Sequence, residues 1–510
     1  MMSRMRESGI HYGVELDFPD YLRDESRRFG SAESISFPVS ARDIQDHLAY
    51  VRSKTEPVTV QGARTGITAG AVPEGGHILS LSRMKEIVSI RAGESPLVVV
   101  QPGLSLAELR TAVREETGGK WFFPPDPTET SASVGGMIAC NASGARSFYY
   151  GPSRRYVTGL RVMLVDGSSL VLQRGVNRSN NRSFEIANES GQKIRGLLPS
   201  YRLPAVKNAS GYYVQNDMDL IDLFVGSEGT LGIVCEAELR LIPNPAVQFG
   251  LLAFLPTEES ALALVRQVRE HNRARPRQGG LVAIEFFDHG ALDLVRAEPT
   301  AVELGLPDCR GPALYFEYHG DGEDFLENRA GELGQSLEQG GADLDNSWLA
   351  TSEKEMERLK AFRHAVPEAV NRAVGERKKT APEITKLGTD LAVPDDHLDE
   401  MMALYREGLE GLGLEHVIFG HIGDNHLHVN ILPRSADEYK AGRKLYHEWT
   451  RAAVRMGGTV SAEHGIGKLK REMLEEMYGP KAIEEMKQLK SCFDPLGLLN
   501  RGNLFKEPIS

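Results

Sequence analysis

Hydrophobic and polar positions divide the chain into short elements of two periods. After Ser40, a plausible N-cap, Ile44, Leu48 and Val51 recur on one helical face. The run Val58-Thr59-Val60 predicts a strand, as does Leu97–Val100, and 106–113 returns to helical spacing. Residues 162–172 read as a hairpin turning at Asp166-Gly167. Residues 174–210 are polar and rich in Gly, Asn and Ser, and predict a long surface excursion. After Asn244-Pro245 the pattern restarts as a second α+β unit. It predicts strands at 251–254, 281–287 and 313–318, and helices at 257–271, 321–339, 352–375, 395–412, 434–456 and 468–490. Between the last three helices lie an apolar run, Val417-Ile418-Phe419, and an alternating stretch from His426 to Ile431.

At 510 residues the chain is too long for one simple core, so two or three domains are expected. A hydrophobic content of 41% with 25% charged residues is that of an ordinary globular protein. A net charge of −12 argues against a general nucleic-acid surface. No run of about 18 apolar residues appears, so no transmembrane segment is expected. The first residues carry charge without an apolar stretch, so no signal peptide is expected. Cys140, Cys235, Cys309 and Cys492 are scattered, with neither disulfide-framework spacing nor the clustering of an iron–sulfur centre. A reducing cytoplasm fits that usage, and electrons leaving the protein would not leave through a cluster of its own.

The densest chemistry lies in Gly420-His421-Ile422-Gly423-Asp424-Asn425-His426-Leu427-His428-Val429-Asn430. Strand alternation would put His426, His428 and Asn430 on one face, with His421 in the turn before them. A second cluster, Ser461-Ala462-Glu463-His464-Gly465-Ile466-Gly467, follows the β-prone Thr459-Val460. Imidazoles with a carboxylate suit Zn²⁺ or a similar divalent ion, and His464 would be left for acid–base work. A single His near a strand end is ordinarily a hydrogen-bonded polar group. Three in eight residues beside a Glu-His pair leave the structural and the metal readings evenly open.

Three stretches are rich in small residues. Gln61-Gly62-Ala63-Arg64-Thr65-Gly66-Ile67-Thr68 follows a strand and could expose backbone N–H groups to a pyrophosphate. It is neither a Walker loop nor a G-x-G-x-x-G fingerprint, and alone it reads more readily as a plain tight loop. Pro124 to Gly144 combines a Pro-stiffened approach, a hydroxyl cluster and the pair Gly135-Gly136; it suits a flat ligand or a structural loop. Gly226-Ser227-Glu228-Gly229 is a further small turn before a strand.

Taken in order over about residues 20–505, these motifs resemble the flavin-dependent D-2-hydroxy acid dehydrogenases of the vanillyl-alcohol-oxidase superfamily. That family includes flavin-type D-lactate dehydrogenases, glycolate oxidase large subunits and D-2-hydroxyglutarate dehydrogenases. The resemblance implies an α+β fold. A two-subdomain FAD-binding domain of the PCMH type would span 33–245, after an N-terminal segment 1–32. A ferredoxin-like substrate, or cap, domain would span 246–490, and a tail at 491–510 would return to the flavin side. It also implies the cofactor residues: Gln61, Gly62, Ala63, Arg64, Thr65, Gly66 and Thr68 at the pyrophosphate; Pro125, Asp126, Thr130, Ser131, Gly135, Gly136 and Asn141 along the phosphates and isoalloxazine; Gly226, Glu228, Gly229 and Ile233 at the adenine half; and Asn500 from the tail. Relatives carry Gly where Ala63 and Arg64 stand, which implies backbone angles open to residues other than Gly. Covalent relatives attach flavin through a His in this loop; none stands here, so noncovalent FAD is expected.

The same resemblance implies His421, His428 and Glu463 as ligands of a divalent metal, Zn or Mn, with His426 an extra polar group where Asn is usual. Arg363 and Lys386 would bind the substrate carboxylate, Asn430 would contact substrate, and His464 would accept the hydroxyl proton. Pro367 stands where some relatives have Thr. The implied reaction is oxidation of a D-2-hydroxy acid to the 2-oxo acid. Electrons would pass to a quinone, a cytochrome, an electron-transfer flavoprotein or an iron–sulfur subunit. A homodimer, and a cytoplasmic location or one peripheral to a membrane, complete these expectations. Two other readings stay open: a redox-neutral flavoenzyme resembling alkyl-dihydroxyacetone-phosphate synthase, and a flavin electron-transfer subunit without chemistry of its own.

Overall fold

In the computed structural model, residues 9–273, 280–299 and 305–506 are described. Helix Ala41–Lys54 starts as its pattern predicts, with Ser40 and Asp43 closing a capping box. Its buried face packs on Val58, Leu79, Met163 and Ile233. The sheet beneath it has four strands. Val58–Gln61 and Ser34–Ser36 flank His77–Ser80 in parallel, and Ile10–Tyr12 adds an antiparallel edge. The N-terminal segment is therefore part of this sheet from Ile10 onward.

A second sheet is antiparallel throughout, in the order Ile87–Arg91, Leu97–Val100, Ile233–Arg240, Val157–Met163, Ser169–Gln173. Residues 174–210, expected as a surface excursion, contain a hairpin, Ser183–Ala187 with Lys193–Leu197. Its alternation is real but short: Phe184 and Ile186 point inward, and Phe184 stacks on Phe493 with ring centroids 5.6 Å apart.

The second unit is built on an eight-stranded sheet. Four strands run in the spatial order Asp343–Ala350, Val247–Phe254, Ala313–Gly320, Gly280–Phe287, every neighbour antiparallel. With helices Glu258–Arg273 and Glu323–Gln339 as crossovers, this is the ferredoxin-like β-α-β-β-α-β arrangement. Strands His416–His421, His426–Ile431 and Leu387–Gly388 extend it beyond Gly280–Phe287, and Leu391–Ala392 also pairs with His426–Ile431. Asp343–Ala350 escaped the apolar pattern because it is an edge strand, mostly exposed and polar. Helix His289–Arg296 was missed as well; Asp288 caps it. Helix Glu353–Lys378 runs through Pro367 without ending, and Arg471–Phe493 is broken at Gly479 (φ 80°), just before Pro480.

The tail returns to the first sheet. Leu498 O accepts from Val58 N at 2.7 Å, and Asn500 N donates to Val58 O at 2.8 Å.

Candidate active site

Strand His416–His421 and strand His426–Ile431 form a tight hairpin, with His421 opposite His426 and Phe419 opposite His428. Asn425, at φ 51°, makes the left-handed turn between them. The hairpin sets the three imidazoles together: ring centroids are 4.5 Å apart for His426 and His428 and 5.6 Å for His421 and His426. The loop after Thr459 brings Glu463 against them. His421, His426, His428 and Glu463 each offer one ligand atom, all within 4.8 Å of one another. His426 is thus a full member of the cluster rather than a bystander.

Two carboxylates that the sequence did not single out organise this group. Asp390 lies buried 2.8 Å from His426 Nε2, 3.1 Å from His464 Nδ1 and 2.5 Å from Lys470 Nζ, and accepts from Ser461 Oγ at 2.7 Å. Burial opposes its charge, but Lys470 and His464 hold its carboxyl well below the usual range. Glu285 lies 3.0 Å from His421 Nδ1 and pairs with Arg363 Nε. Burial pushes Glu285 up, yet Arg363 and His421 pull it down to about 2. Glu463 Oε1 accepts from Lys207 Nζ and from Ser143 Oγ (3.2 Å), and lies 3.5 Å from His421 Nε2.

These residues fit a divalent cation. With Nε2 facing Asp390, His426 Nδ1 is buried in the cluster without a hydrogen bond, 4.0 Å from Glu463 Oε2, a costly state for a polar atom that a metal would relieve. Burial, then the neighbouring imidazoles, keep His428 well below the usual histidine value, in the neutral form that coordinates metals. Its Nδ1 lies 2.9 Å from Thr389 O, leaving Nε2 for the cluster. Burial disfavours charge on His421, but Glu463 and Glu285 raise it to about 9, so a cation binding there would displace a proton.

Of the residues expected to bind substrate, Arg363 and Asn430 adjoin this cluster. Arg363 rests over the Tyr315 ring at 4.9 Å and shares Glu285 with His421. Asn430 is buried, its Oδ1 without a partner. Lys386 Cε would lie 3.7 Å from a Cβ on Gly388, a position that also adjoins Asn430. Lys386 is exposed, yet burial and then Arg27 lower its pKa. The side chain is open to solvent yet ringed by protein, so it lines a recess.

The flavin-side residues divide into scaffold and open surface. Gln61 is spent on Tyr21 O and Ala71 O (2.8 and 2.7 Å). Gly62 is required, since a Cβ there would meet Ser133 Oγ at 2.1 Å. Ala63 N donates to that hydroxyl at 3.2 Å. Among the described residues, the amides of Arg64, Thr65, Gly66 and Thr68 donate to no protein acceptor, the state of a loop prepared for phosphate. Arg64 departs from expectation: it is at φ 61°, a strained region for a side chain, with its guanidinium 4.1 Å over the Tyr21 ring. Thr68 Oγ1 donates to His464 O at 3.2 Å.

Pro125 O and Asp126 are held by Arg110, Thr130 O accepts from Ala107 N, and Ser131 N donates to Glu129. Gly135 sits where a Cβ would strike Pro102; Gly136 N donates to Ser133 Oγ at 3.3 Å, and Asn141, at φ 49°, accepts from Arg154 N. Gly226 N and Glu228 N both donate to carbonyls of helix Val134–Ala139. Asn500 donates to Glu228 O and accepts from Val60 N, and Gly229 leaves it room. The Glu228 carboxylate turns to Ile466 N (2.6 Å) and Gly467 N (2.8 Å) and so pins the loop bearing Glu463 and His464. Ile233 is buried in the apolar cluster of helix Ala41–Lys54. The side chains of Glu228, Ile233 and Asn500 are thus engaged within the protein, and so is Gln61 Nε2.

A lone charge in an otherwise apolar strand could have revealed Glu285, which sits in a strand buried at every position. Nothing in the local pattern marks Asp390 or Lys207. Among the described residues no helix is long and apolar enough to cross a membrane.

The FAD binding domain matches residues 32–173, and the C-terminal domain of the FAD linked oxidases matches residues 244–504. A D-lactate dehydrogenase of Archaeoglobus fulgidus is 30% identical over 92% of this chain and 90% of its own. A D-2-hydroxyglutarate dehydrogenase of Stutzerimonas stutzeri is 29% identical over 95% and 94%. Glycolate oxidase subunit GlcD of Bacillus subtilis is 29% identical over 95% and 92%. Among solved structures, 4-ethylphenol oxidase from Gulosibacter chungangensis aligns over 100% of this chain and 98% of its own, with a TM-score of 0.66 at 15% identity. An alkyldihydroxyacetonephosphate synthase aligns over 92% and 76%, with a TM-score of 0.64 at 14% identity; both show the fold. With both domains in sequence and relatives matched nearly end to end, the chain belongs to the FAD linked oxidases and is a flavin-dependent oxidoreductase.

Proposed function

We propose that the protein oxidises a D-2-hydroxy acid to its 2-oxo acid on noncovalent FAD, at the cluster of His421, His426, His428 and Glu463 with His464 as base. The observation that carries this reading is the convergence of that cluster, Arg363 and His464 between the flavin-side loops and the cap sheet. Bound FAD would accept the C2 hydride, and a divalent ion on the cluster would act as a Lewis acid on the hydroxyl.

The chain's own part is placement and proton transfer. Asp390 faces His464 Nδ1, which favours the tautomer with Nε2 free to take the hydroxyl proton. Arg363, with Nε committed to Glu285, still presents a terminal fork that matches a carboxylate. Lys386 in its recess adds a second positive charge, and Asn430 Oδ1 offers an acceptor. Together they would fix which face of C2 meets the flavin. Reduced flavin would pass electrons to an external acceptor.

The test is anaerobic mixing of the FAD-loaded protein with D- and L-lactate, glycolate and D-2-hydroxyglutarate while following the oxidised-flavin band. Bleaching by a D-acid and not its mirror image supports the proposal, and the rank order names the substrate. No bleaching by any acid would turn the reading toward the redox-neutral or electron-transfer alternatives.

A further inference from the structure

Lys207 brings to the cluster a buried ammonium that the chemistry above does not use. Its side chain is 7% exposed, and its ammonium reaches into the cluster to Glu463 Oε1. It also donates to Gly144 O at 3.1 Å, in the loop that follows Asn141 on the flavin side. The same Glu463 oxygen accepts from Ser143 and lies 3.5 Å from His421 Nε2, so it is crowded with donors. A second anion stands ready: Asp424 Oδ2 is 3.6 Å from Lys207 Nζ and buried without a hydrogen bond. Behind the pair lies a cavity of about 560 Å³, whose lining includes Ala205, Val206, Pro394 and Gly423. The ammonium therefore has both an alternative partner and space beside it.

Resting on the metal reading above, we propose that Lys207 is a resident cation that competes with the divalent ion for Glu463. It neutralises the carboxylate until the ion binds, and binding requires it to leave Oε1 for Asp424. Two positive charges on one buried carboxylate oxygen repel strongly. A lysine in this place therefore sets the affinity of the site below what its ligands alone would give. Through Gly144 it also ties metal uptake to the flavin-side loop.

The experiment uses FAD-loaded protein stripped with a chelator, then titrated with Zn²⁺ or Mn²⁺ alone against a competing chelator of known affinity. Lys207→Met is expected to bind the ion tighter, by about tenfold or more, and Lys207→Arg to stay near wild type. The metal-free Lys207→Met protein should also melt at a lower temperature, because Glu463 has lost its counter-charge, with the gap closing when metal is added. Asp424→Asn, which removes the alternative anion, should bind more weakly. If Lys207→Met does not fold, Lys207→Gln carries the same expected direction. Equal or weaker binding by the neutral variants would overturn the proposal and leave Lys207 a brace for Glu463. No binding by the wild-type protein would remove the metal reading itself, and this inference with it.

Discussion

Asp390 Oδ2 stands 3.1 Å from His464 Nδ1, while Oδ1 of the same carboxylate stands 2.8 Å from His426 Nε2. One buried carboxylate thus orients both the candidate base and a candidate metal ligand. Asp390→Asn keeps the shape and removes the charge. It is expected to slow anaerobic flavin reduction roughly 10–100-fold, the usual cost of losing such a supporting group. FAD content should stay unchanged, as read from absorbance of the purified protein.

His464 itself is the open member of the group, 31% exposed where His426 is fully buried. His464→Ala should lower the flavin reduction rate by ~10²–10⁴-fold, the range for loss of a general base. Substrate binding should change far less, which a titration of the slowly reacting variant would show.

Arg363→Lys keeps a positive charge for Glu285 but loses the planar fork. A rise in KM of roughly 10–100-fold is expected, the worth of one or two charged hydrogen bonds. Arg363→Ala would do more, because it strands Glu285, whose carboxyl is held at about 2 by that pairing. A melting-temperature drop for the alanine variant alone would separate the two effects.

The hairpin from 416 to 431 shows how much of the site was written in the sequence and where legibility stopped. Alternation puts His426 and His428 on one strand, but His421, expected in the turn before them, ends the preceding strand opposite His426. Glu463 and His464 were legible as a local pair, and their approach to the hairpin followed from family resemblance alone. Asp390 could not be read, because its partners lie on three other segments, at 426, 461–464 and 470. The ferredoxin-like order was only partly visible. Its buried strands announce themselves as apolar runs, but the edge strand Asp343–Ala350 faces water and reads as loop. The hairpin 183–197 is hidden for a related reason: its first strand turns only Phe184 and Ile186 inward, and its second only Ile194 and Gly196, both half-buried. Family resemblance alone puts Glu228 among the cofactor residues, and no local pattern signals that its carboxylate also holds the Glu463 loop.

That last contact makes a further prediction. Glu228→Ala leaves the amides of Ile466 and Gly467 buried and unpaired, a cost of about 1–3 kcal/mol each. The variant should melt earlier and bind metal more weakly, although Glu228 touches none of the cluster residues. Glu228→Gln, which keeps one acceptor, should fall between it and wild type.

His77 supplies a pH signature independent of the metal. Buried between Ser34 Oγ and Ser36 Oγ, at 2.8 Å from each, it is lowered to about 3, by burial first and then by the charges of His47 and Lys54. A histidine depressed in the folded state is protonated first in the unfolded chain. Its contribution is therefore intact above the usual value of 6.5 and is lost as pH falls from there toward 3. The slope is at most about 1.4 kcal/mol per pH unit. His77→Asn should be less stable than wild type near neutrality, and the difference in melting temperature should shrink on acidification.

The most direct test of the central claim is single-turnover flavin reduction by the preferred D-acid before and after removal of divalent metal. Bleaching that a chelator abolishes, and that Zn²⁺ or Mn²⁺ restores, is the predicted result. Bleaching that proceeds at the same rate after chelation would contradict it and leave His421, His426, His428 and Glu463 a structural polar cluster.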